Sequence, residues 1–221
     1  MQFRGQYHAD LDRVWGLLFD LAELARSAMV LAATALADAD LALAERVIAD
    51  DALLDARRRE LEELVFTVLA TQQPVAGDLR LLTAALPAGA GLERMGDLAA
   101  HIARAARLRY PDNAVPPQLR DTIARMGDVA AGLAGDLVTA IKTRDAELAA
   151  TVPAGDDAMD ALHRKMFTIL LAPSRDRRVE TAIDISLLGR FHERFADQAV
   201  GVARRIYFIL TARHPDTHRD G

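Results

Sequence analysis

The chain has 221 residues, of which 51% are hydrophobic and only 5% aromatic, so its core must be built mainly from aliphatic side chains and alanine. Its formal net charge of −5 disfavours sequence-independent nucleic-acid binding, which needs a basic surface. The absence of cysteine excludes disulfides, thiolate metal sites and cysteine nucleophiles.

Helical periodicity dominates the first half of the chain. Apolar residues from Leu11 to Ala35 recur at spacings of three and four, as they do along one face of a helix. Asp40 then supplies N-cap chemistry, and Pro74 can occupy the first position of a later helix. We therefore predict three helices: the first over about residues 8–36, the second from after Asp40 to about Thr71, and the third from Pro74 to about Arg109.

A break at residues 110–117, with the sequence YPDNAVPP, separates the two halves of the chain. Pro153 and Gly155 should interrupt the first turns of the second helix that follows the break. Residues 173–178 are predicted to form a loop, and no segment has the pattern of a strand hairpin. Helices are predicted in the second half over about residues 119–141, 145–171 and 179–212.

The second half repeats the first in its acidic residues as well as in its helices. The segment DALLD at 51–55 resembles DDAMD at 156–160, and ERMGD at 93–97 resembles ERFAD at 193–197. A repeat of this length indicates duplication of a three-helix unit, because the periods of solenoids are shorter. The fold class is therefore predicted to be all-α, a tandem repeat of two three-helix bundles with six long antiparallel helices, divided into residues 1–112 and 113–221.

Each of the four segments carries two acids separated by three residues, which places both carboxylates one turn apart on the same helical face. A single pair of this kind is most often a solvated polar face, but four pairs in register across a duplication favour a metal site. Glu93 and Asp97 lie nearly opposite the apolar stripe of Met95 and Ile102, so the acids should be exposed or half-exposed. The candidate metal ligands are Asp51, Asp55, Glu93 and Asp97 in the first half and Asp156, Asp160, Glu193 and Asp197 in the second.

Oxygen ligands suit Mg²⁺, Mn²⁺ or iron, whereas the usual Cys/His set for zinc is missing. A ferritin-like di-iron enzyme would need inward-facing Glu-x-x-His motifs, and the sequence contains none. It also lacks a nucleophile elbow, a P-loop and a dinucleotide-binding glycine motif, so we predict that the protein is not an enzyme. A metal-dependent carboxylate-cluster enzyme and a metal-free helical scaffold remain open as alternatives.

Several segments resemble the PhoU family of phosphate-transport regulatory proteins, including the actinobacterial PhoY type. LERMGD at 92–97 is similar to the E-R-x-G-D signature of the family, and ERFAD at 193–197 is similar to its second copy. QQPVAGDLR at 72–80 resembles the loop into the third helix, and LAERVI at 43–48 completes the first repeat. The resemblance covers roughly residues 6–212.

This resemblance implies two three-helix bundles whose surface acidic motifs bind multinuclear metal clusters, with Fe, Mn, Zn and Mg all open as the metal. It implies a negative regulator of phosphate uptake and of the phosphate-starvation two-component response. Such a protein acts as an adaptor between the phosphate ABC transporter and a sensor histidine kinase. The implied partners are the transporter ATPase and the kinase, with peripheral membrane association through them, no nucleic acid, and a homodimer as the expected assembly.

Residues 1–8 lack the basic and apolar regions of a signal peptide, and the apolar stretch at 28–37 is too short to cross a bilayer, so a cytoplasmic protein is expected.

The segment LPAGAG at 86–91 departs from the family pattern, because it replaces what is normally an unbroken helix. Pro87 and two glycines predict a kink one turn before Glu93, which could shift the first metal site.

Overall fold

A computed structural model describes residues 2–172 and 179–213 of the protein. The predicted loop at 173–178 and the tail from His214 lie outside the described residues. Within these ranges the chain contains seven α-helices, two 3₁₀ turns and no strand, which confirms the all-α prediction. The helices are α1 (Gln2–Asp38), α2 (Leu41–Gln72), α3 (Ala76–Arg109), α4 (Arg120–Thr143), α5 (Ala146–Thr151), α6 (Asp156–Leu171) and α7 (Val179–Thr211).

The helix boundaries follow local sequence signals in both halves. Asp40 caps α2 by accepting a hydrogen bond from the backbone N–H of Leu43 at 3.0 Å. Asp145 caps α5 in the same way, accepting from the N–H of Leu148 at 3.0 Å. The 3₁₀ turn Val152–Gly155 separates α5 from α6, so the predicted break at Pro153 is observed. At the start of α3 the prediction is off by two residues, because the helix begins at Ala76 and not at Pro74.

The segment 86–91 does not interrupt α3, which is helical from Ala76 to Arg109 with Pro87 inside it. Its two glycines serve packing. A Cβ at Gly89 would lie 2.6 Å from Cδ2 of Leu61 in α2, and one at Gly91 would lie 2.7 Å from Cγ2 of Val202 in α7. The missing methyl groups therefore let side chains of two neighbouring helices reach the α3 backbone.

The helices pack around one continuous cluster of buried, mostly aliphatic side chains. In the first half α1, α2 and α3 pack against one another, and in the second half α4, α6 and α7 do so. The halves also pack together, α1 on α4 and α3 on α7. Arg109 at the end of α3 joins them by an ion pair with Asp184 of α7, with 2.6 Å between Nη2 and Oδ2. The division of the chain at 112/113 stays a prediction.

The contact between α1 and α4 is unusually close at one point. A Cβ added at Gly127 would lie 2.9 Å from Cβ of Ala33. Since Ala33 has no rotatable side-chain atoms that could move aside, the two helices themselves would have to separate. The backbone of α4 can therefore lie against α1 only because position 127 is glycine.

One histidine is completely buried where α7 faces α4. His192 is 0% exposed, and its Nδ1 lies 2.8 Å from the carbonyl oxygen of Leu188. Burial disfavours the charged ring and lowers the pKa of His192 to about 4. The imidazole is therefore neutral at physiological pH.

No described helix is both long and apolar enough to traverse a lipid bilayer.

Two glycine substitutions in α4 should have opposite effects on stability. Gly132 has nothing within 4 Å of its added Cβ, so Gly132→Ala should stabilise the protein by about 1 kcal/mol through helix propensity. Gly127→Ala gains the same propensity but meets Ala33, and overpacking of this kind costs about 1–3 kcal/mol. Urea unfolding should therefore rank Gly132→Ala above wild type and Gly127→Ala clearly below Gly132→Ala. Equal stabilisation by both would contradict the close contact.

The buried histidine should make stability fall in mild acid. The unfolded chain binds a proton at His192 near pH 6.5 and the folded chain only near pH 4, so stability is complete above pH 6.5 and is lost as the pH falls towards 4. Between pH 7.5 and 5.0 this loss is about 2 kcal/mol. His192→Gln removes the titration. The unfolding free energy of wild type minus that of the variant should drop by this amount over the interval, and a constant difference would refute the assignment.

Candidate metal centres

The structure gathers the eight predicted ligands into two groups of four, each on a pair of packed helices. The first cluster consists of Asp51 and Asp55 on α2 with Glu93 and Asp97 on α3, and the second of Asp156 and Asp160 on α6 with Glu193 and Asp197 on α7. Asp55, Asp160 and Asp197 are exposed and the other five are half-buried. The sequence analysis predicted exposed or half-exposed acids from their position opposite the apolar stripes, and the structure agrees.

A small residue between the acids brings the paired helices together. Gly96 lies between Glu93 and Asp97, and a Cβ there would lie 2.9 Å from both terminal methyls of Leu54, which itself lies next to Asp55. The equivalent residue in α7 is Ala196, which is fully buried. The E-R-x-G-D spacing thus places two surface carboxylates on either side of a close helix contact. This contact brings the two acids of α2 near the two acids of α3.

In the first cluster the carboxylates act on one another electrostatically. The pKa of Asp51 is raised by burial first and then by the negative charges of Asp97 and Asp55. The pKa of Glu93 is likewise raised by burial and by Asp97 and Asp55. Side chains from α2 and α3 therefore share one region of negative potential.

Arginines offset part of this charge in the first cluster. Arg104 lies 3.4 Å from Asp51, measured from Nη2 to Oδ2, and Arg94 lies 2.8 Å from Asp97, measured from Nη1 to Oδ2. The positive charges of Arg58 and Arg94 also act to lower the pKa of Glu93. Three cations therefore surround four carboxylates.

The second cluster has less positive charge near its centre. The pKa of Asp156 is raised by burial first, and then by the negative charges of Asp197, Asp160, Asp157 and Glu193. Two ion pairs of the described residues involve its other acids: Arg190 binds Glu193, and Arg164 lies 3.9 Å from Asp160. Among the described residues no cation is ion-paired with Asp156 or Asp197.

Carboxylate oxygens are suitable ligands for a hard cation, but the side chains of the clusters are not positioned to coordinate one. Across the described residues, no three Asp, Glu or His side chains are arranged so that they could hold one ion. Several carboxylates instead point to arginines, as in the Arg94–Asp97 and Arg190–Glu193 pairs. A cation would have to draw them away from these partners, and it would relieve the mutual repulsion that raises the pKa values of Asp51 and Asp156.

The arginines are the site residues that sequence reasoning missed. Arg94 and Arg190 each precede a cluster acid by three residues, a spacing that favours ion pairs on a helix, so the sequence carried a signal for them. Arg104 is 53 residues from Asp51, and no local pattern links the two. Only the packing of α2 on α3 brings them together.

Comparisons with known proteins agree with the sequence motifs. The chain matches the PhoU domain twice, over residues 18–106 and 123–206. It is 43% identical over 213 residues to the phosphate-specific transport system accessory protein PhoU homolog 1 of Mycobacterium leprae, covering 96% of both chains. It is 43% identical over 212 residues to PhoU homolog 2 of Mycobacterium tuberculosis, covering 96% of this chain and all of that one.

Solved structures of the same family have the same fold. PhoU from Pseudomonas aeruginosa superposes with a TM-score of 0.86 at 26% identity, over 94% of this chain and 100% of that one. The phosphate transport system regulatory protein PhoU from Streptococcus pneumoniae superposes with a TM-score of 0.84 at 23% identity, over 95% and 99% of the two chains. The chain therefore belongs to the PhoU family.

Proposed function

We propose that this protein is a regulatory accessory protein of phosphate-specific transport. In this role it represses phosphate uptake and the phosphate-starvation response, as an adaptor between the phosphate ABC transporter and a sensor histidine kinase. The observation that carries the proposal is the near-full-length similarity to mycobacterial proteins named as accessory proteins of that transport system. A relative from Rhizobium meliloti bears the same name at 28% identity over 84% of the chain.

The surroundings of the acids support binding more than catalysis. The cavity beside Asp51, which Leu54 and Gly96 also line, has a volume of only about 30 Å³. That is the space of about one water molecule and leaves no room for an organic substrate. The acids of both clusters are exposed or half-buried on a helix pair, where a cation or a partner protein can reach them.

Metal binding is the second element of the proposal. Asp51, Asp55, Glu93 and Asp97 would hold cations at the first cluster, and Asp156, Asp160, Glu193 and Asp197 at the second. The metal is a divalent or iron-type ion, with Fe, Mn, Zn and Mg as candidates. Such ions, shared between carboxylates of two helices, would join α2 to α3 and α6 to α7 and would stiffen the surfaces offered to partners.

The second cluster is the stronger of the two candidate sites. In the first cluster Arg104 and Arg94 are paired with Asp51 and Asp97. Among the described residues, no cation is ion-paired with Asp156 or Asp197, which occupy the equivalent positions of the second cluster. A cation entering the first cluster must compete with these arginines. The difference in local charge therefore favours binding between α6 and α7. A cytoplasmic location and a homodimeric state belong to the same proposal.

Mn²⁺ titration followed by electron paramagnetic resonance should separate the two clusters. The double variant Asp156→Asn with Asp197→Asn should lose the tightest Mn²⁺ site, with affinity reduced by roughly tenfold or more. Asp51→Asn with Asp97→Asn should affect only a weaker site. Arg104→Gln should tighten the weaker site, because it removes a competing cation.

The control for this titration is Asp128→Asn with Asp136→Asn, two exposed acids of α4 that lie outside both clusters. It changes the net charge by the same amount and should leave Mn²⁺ binding intact. Equal losses from the control and from the Asp156/Asp197 variant would mean that diffuse charge attracts the ion. Saturable binding in none of the proteins would favour a metal-free scaffold.

The adaptor role predicts partners that can be captured. Tagged protein should recover the transporter ATPase and a sensor histidine kinase from detergent-solubilised membranes of its native cells, compared under phosphate-replete and phosphate-starved growth. Asp97→Asn with Asp197→Asn should lose metal and still capture partners. Recovery of neither partner in either condition would contradict the adaptor. A metal-dependent hydrolytic activity abolished by the same double variant would instead identify an enzyme.

A further inference from the structure

A second site candidate lies away from the acids, in a cavity of about 290 Å³ that α1, α4 and α7 share with the segment between α3 and α4. Its walls are largely aliphatic, with Ala33 and Leu36 from α1 and Val115 and Ile123 from the second half. His192 of α7 also lines it. The volume is close to the lower end of the range for small-molecule pockets, about 300 Å³.

His192 presents an unused hydrogen-bond acceptor here. Its Nδ1 lies 2.8 Å from the carbonyl oxygen of Leu188, and because a carbonyl oxygen only accepts, Nδ1 must carry the proton. In the neutral ring Nε2 is then a lone-pair acceptor. Nε2 is buried and has no hydrogen-bond partner among the described residues. Leaving a buried polar atom without a hydrogen bond costs about 1–3 kcal/mol of folding free energy. A bound molecule that donates a hydrogen bond to Nε2 would remove this cost.

The acceptor lies beside the cavity wall formed by Ala33. Nε2 lies 3.9 Å from the position that a Cβ of Gly127 would occupy, and that position is 2.9 Å from Cβ of the cavity-lining Ala33. The opposite ring nitrogen is turned back along α7 towards Leu188. His192 and Thr122 are the only polar side chains that are buried in the described parts of the chain, and Thr122 is not among the cavity-lining residues.

The edge of the cavity has no net preference for an ion. Arg120 and Asp121 line it and are both exposed, with opposite charges. Asn113 is held by two hydrogen bonds, donating to the carbonyl of Ala37 at 2.7 Å and accepting from the N–H of Val115 at 2.8 Å. The cavity therefore offers a ligand a polar edge at Asn113, an aliphatic wall, and one hydrogen-bond acceptor at His192.

We propose that this cavity binds a small, neutral, mostly apolar organic molecule with a single hydroxyl or N–H group that donates a hydrogen bond to Nε2 of His192. A monocyclic aromatic alcohol has a suitable size and shape. The ligand would sit between helices of the two halves, α1 on one side and α4 and α7 on the other, in a place independent of the carboxylate clusters.

The test compares p-cresol with p-xylene, in which a methyl group replaces the hydroxyl. Titrations of the full chain by ligand-observed NMR should show saturable 1:1 binding of p-cresol. p-Xylene, although more hydrophobic, should bind roughly fivefold to tenfold more weakly, since it leaves Nε2 unpaired. Absence of saturable p-cresol binding, as in a cavity that holds only water, overturns the proposal, and so does an equal or tighter affinity for p-xylene.

Variants identify the site. His192→Phe keeps an aromatic ring and removes the acceptor, so the preference should reverse in favour of p-xylene. Ala124→Leu, at an exposed alanine of the cavity wall away from the Ala33–Gly127 contact, fills the cavity and should abolish binding of both molecules while the fold is retained, which keeps the test decisive if His192→Phe does not fold. Ala131→Leu, at a half-buried alanine of the same helix that lies outside the cavity, is the control and should bind like wild type. Unchanged binding in Ala124→Leu overturns the assignment.

Discussion

Close approach of helices at positions without a bulky side chain is the constraint on which this molecule depends. With few aromatic residues, the core gains packing density by bringing backbones together, as at Gly127 against Ala33 and at Gly96 against Leu54. The contact at Gly96 has a functional consequence, because Glu93 and Asp97 flank it and face the acids of α2. The helix spacing that fills the core therefore also determines how near the carboxylates of two helices lie.

Charge then distinguishes two sites that the duplication made alike. Each cluster has four carboxylates on two packed helices, and arginines pair with acids of both. Arg104 reaches the half-buried Asp51 of the first cluster, whereas no cation among the described residues is ion-paired with the equivalent Asp156 of the second. Repulsion between carboxylates costs free energy in the folded protein, and an arginine or a bound cation can offset it. In the first cluster Arg104 offsets part of this repulsion at Asp51, and no ion pair of the described residues does so at Asp156.

Local features of the chain were predictable and long-range ones were not. Apolar periodicity and the Asp40 cap located α1 and α2 to within a few residues, apart from the N-terminal end of α1, and the four acidic pairs were correctly assigned to two pairs of helices. The helix α3 continues through Pro87, so the interruption expected there is not observed, while the kink itself stays a prediction. The glycines of this segment receive Leu61 and Val202 from other helices. The contact of Arg104 with Asp51 and the cavity at His192 have no sequence signature, because they arise only where distant helices meet.

The two candidate sites of the second half meet on one turn of α7. His192 and Glu193 are consecutive, so their side chains leave the helix about 100° apart. The first faces the cavity between α1 and α4, and the second adds its charge to that around Asp156 of α6. A ligand at either place would act on the same turn, and the preceding residue, Phe191, stacks on His101 of α3 with 5.0 Å between the ring centroids. If a cation between α6 and α7 alters how this turn packs, linkage requires that a molecule in the cavity alter cation affinity by the same factor. If both proposed sites bind their ligands, the short distance along α7 provides a physical route by which the interior between the halves influences the acidic surface of this protein.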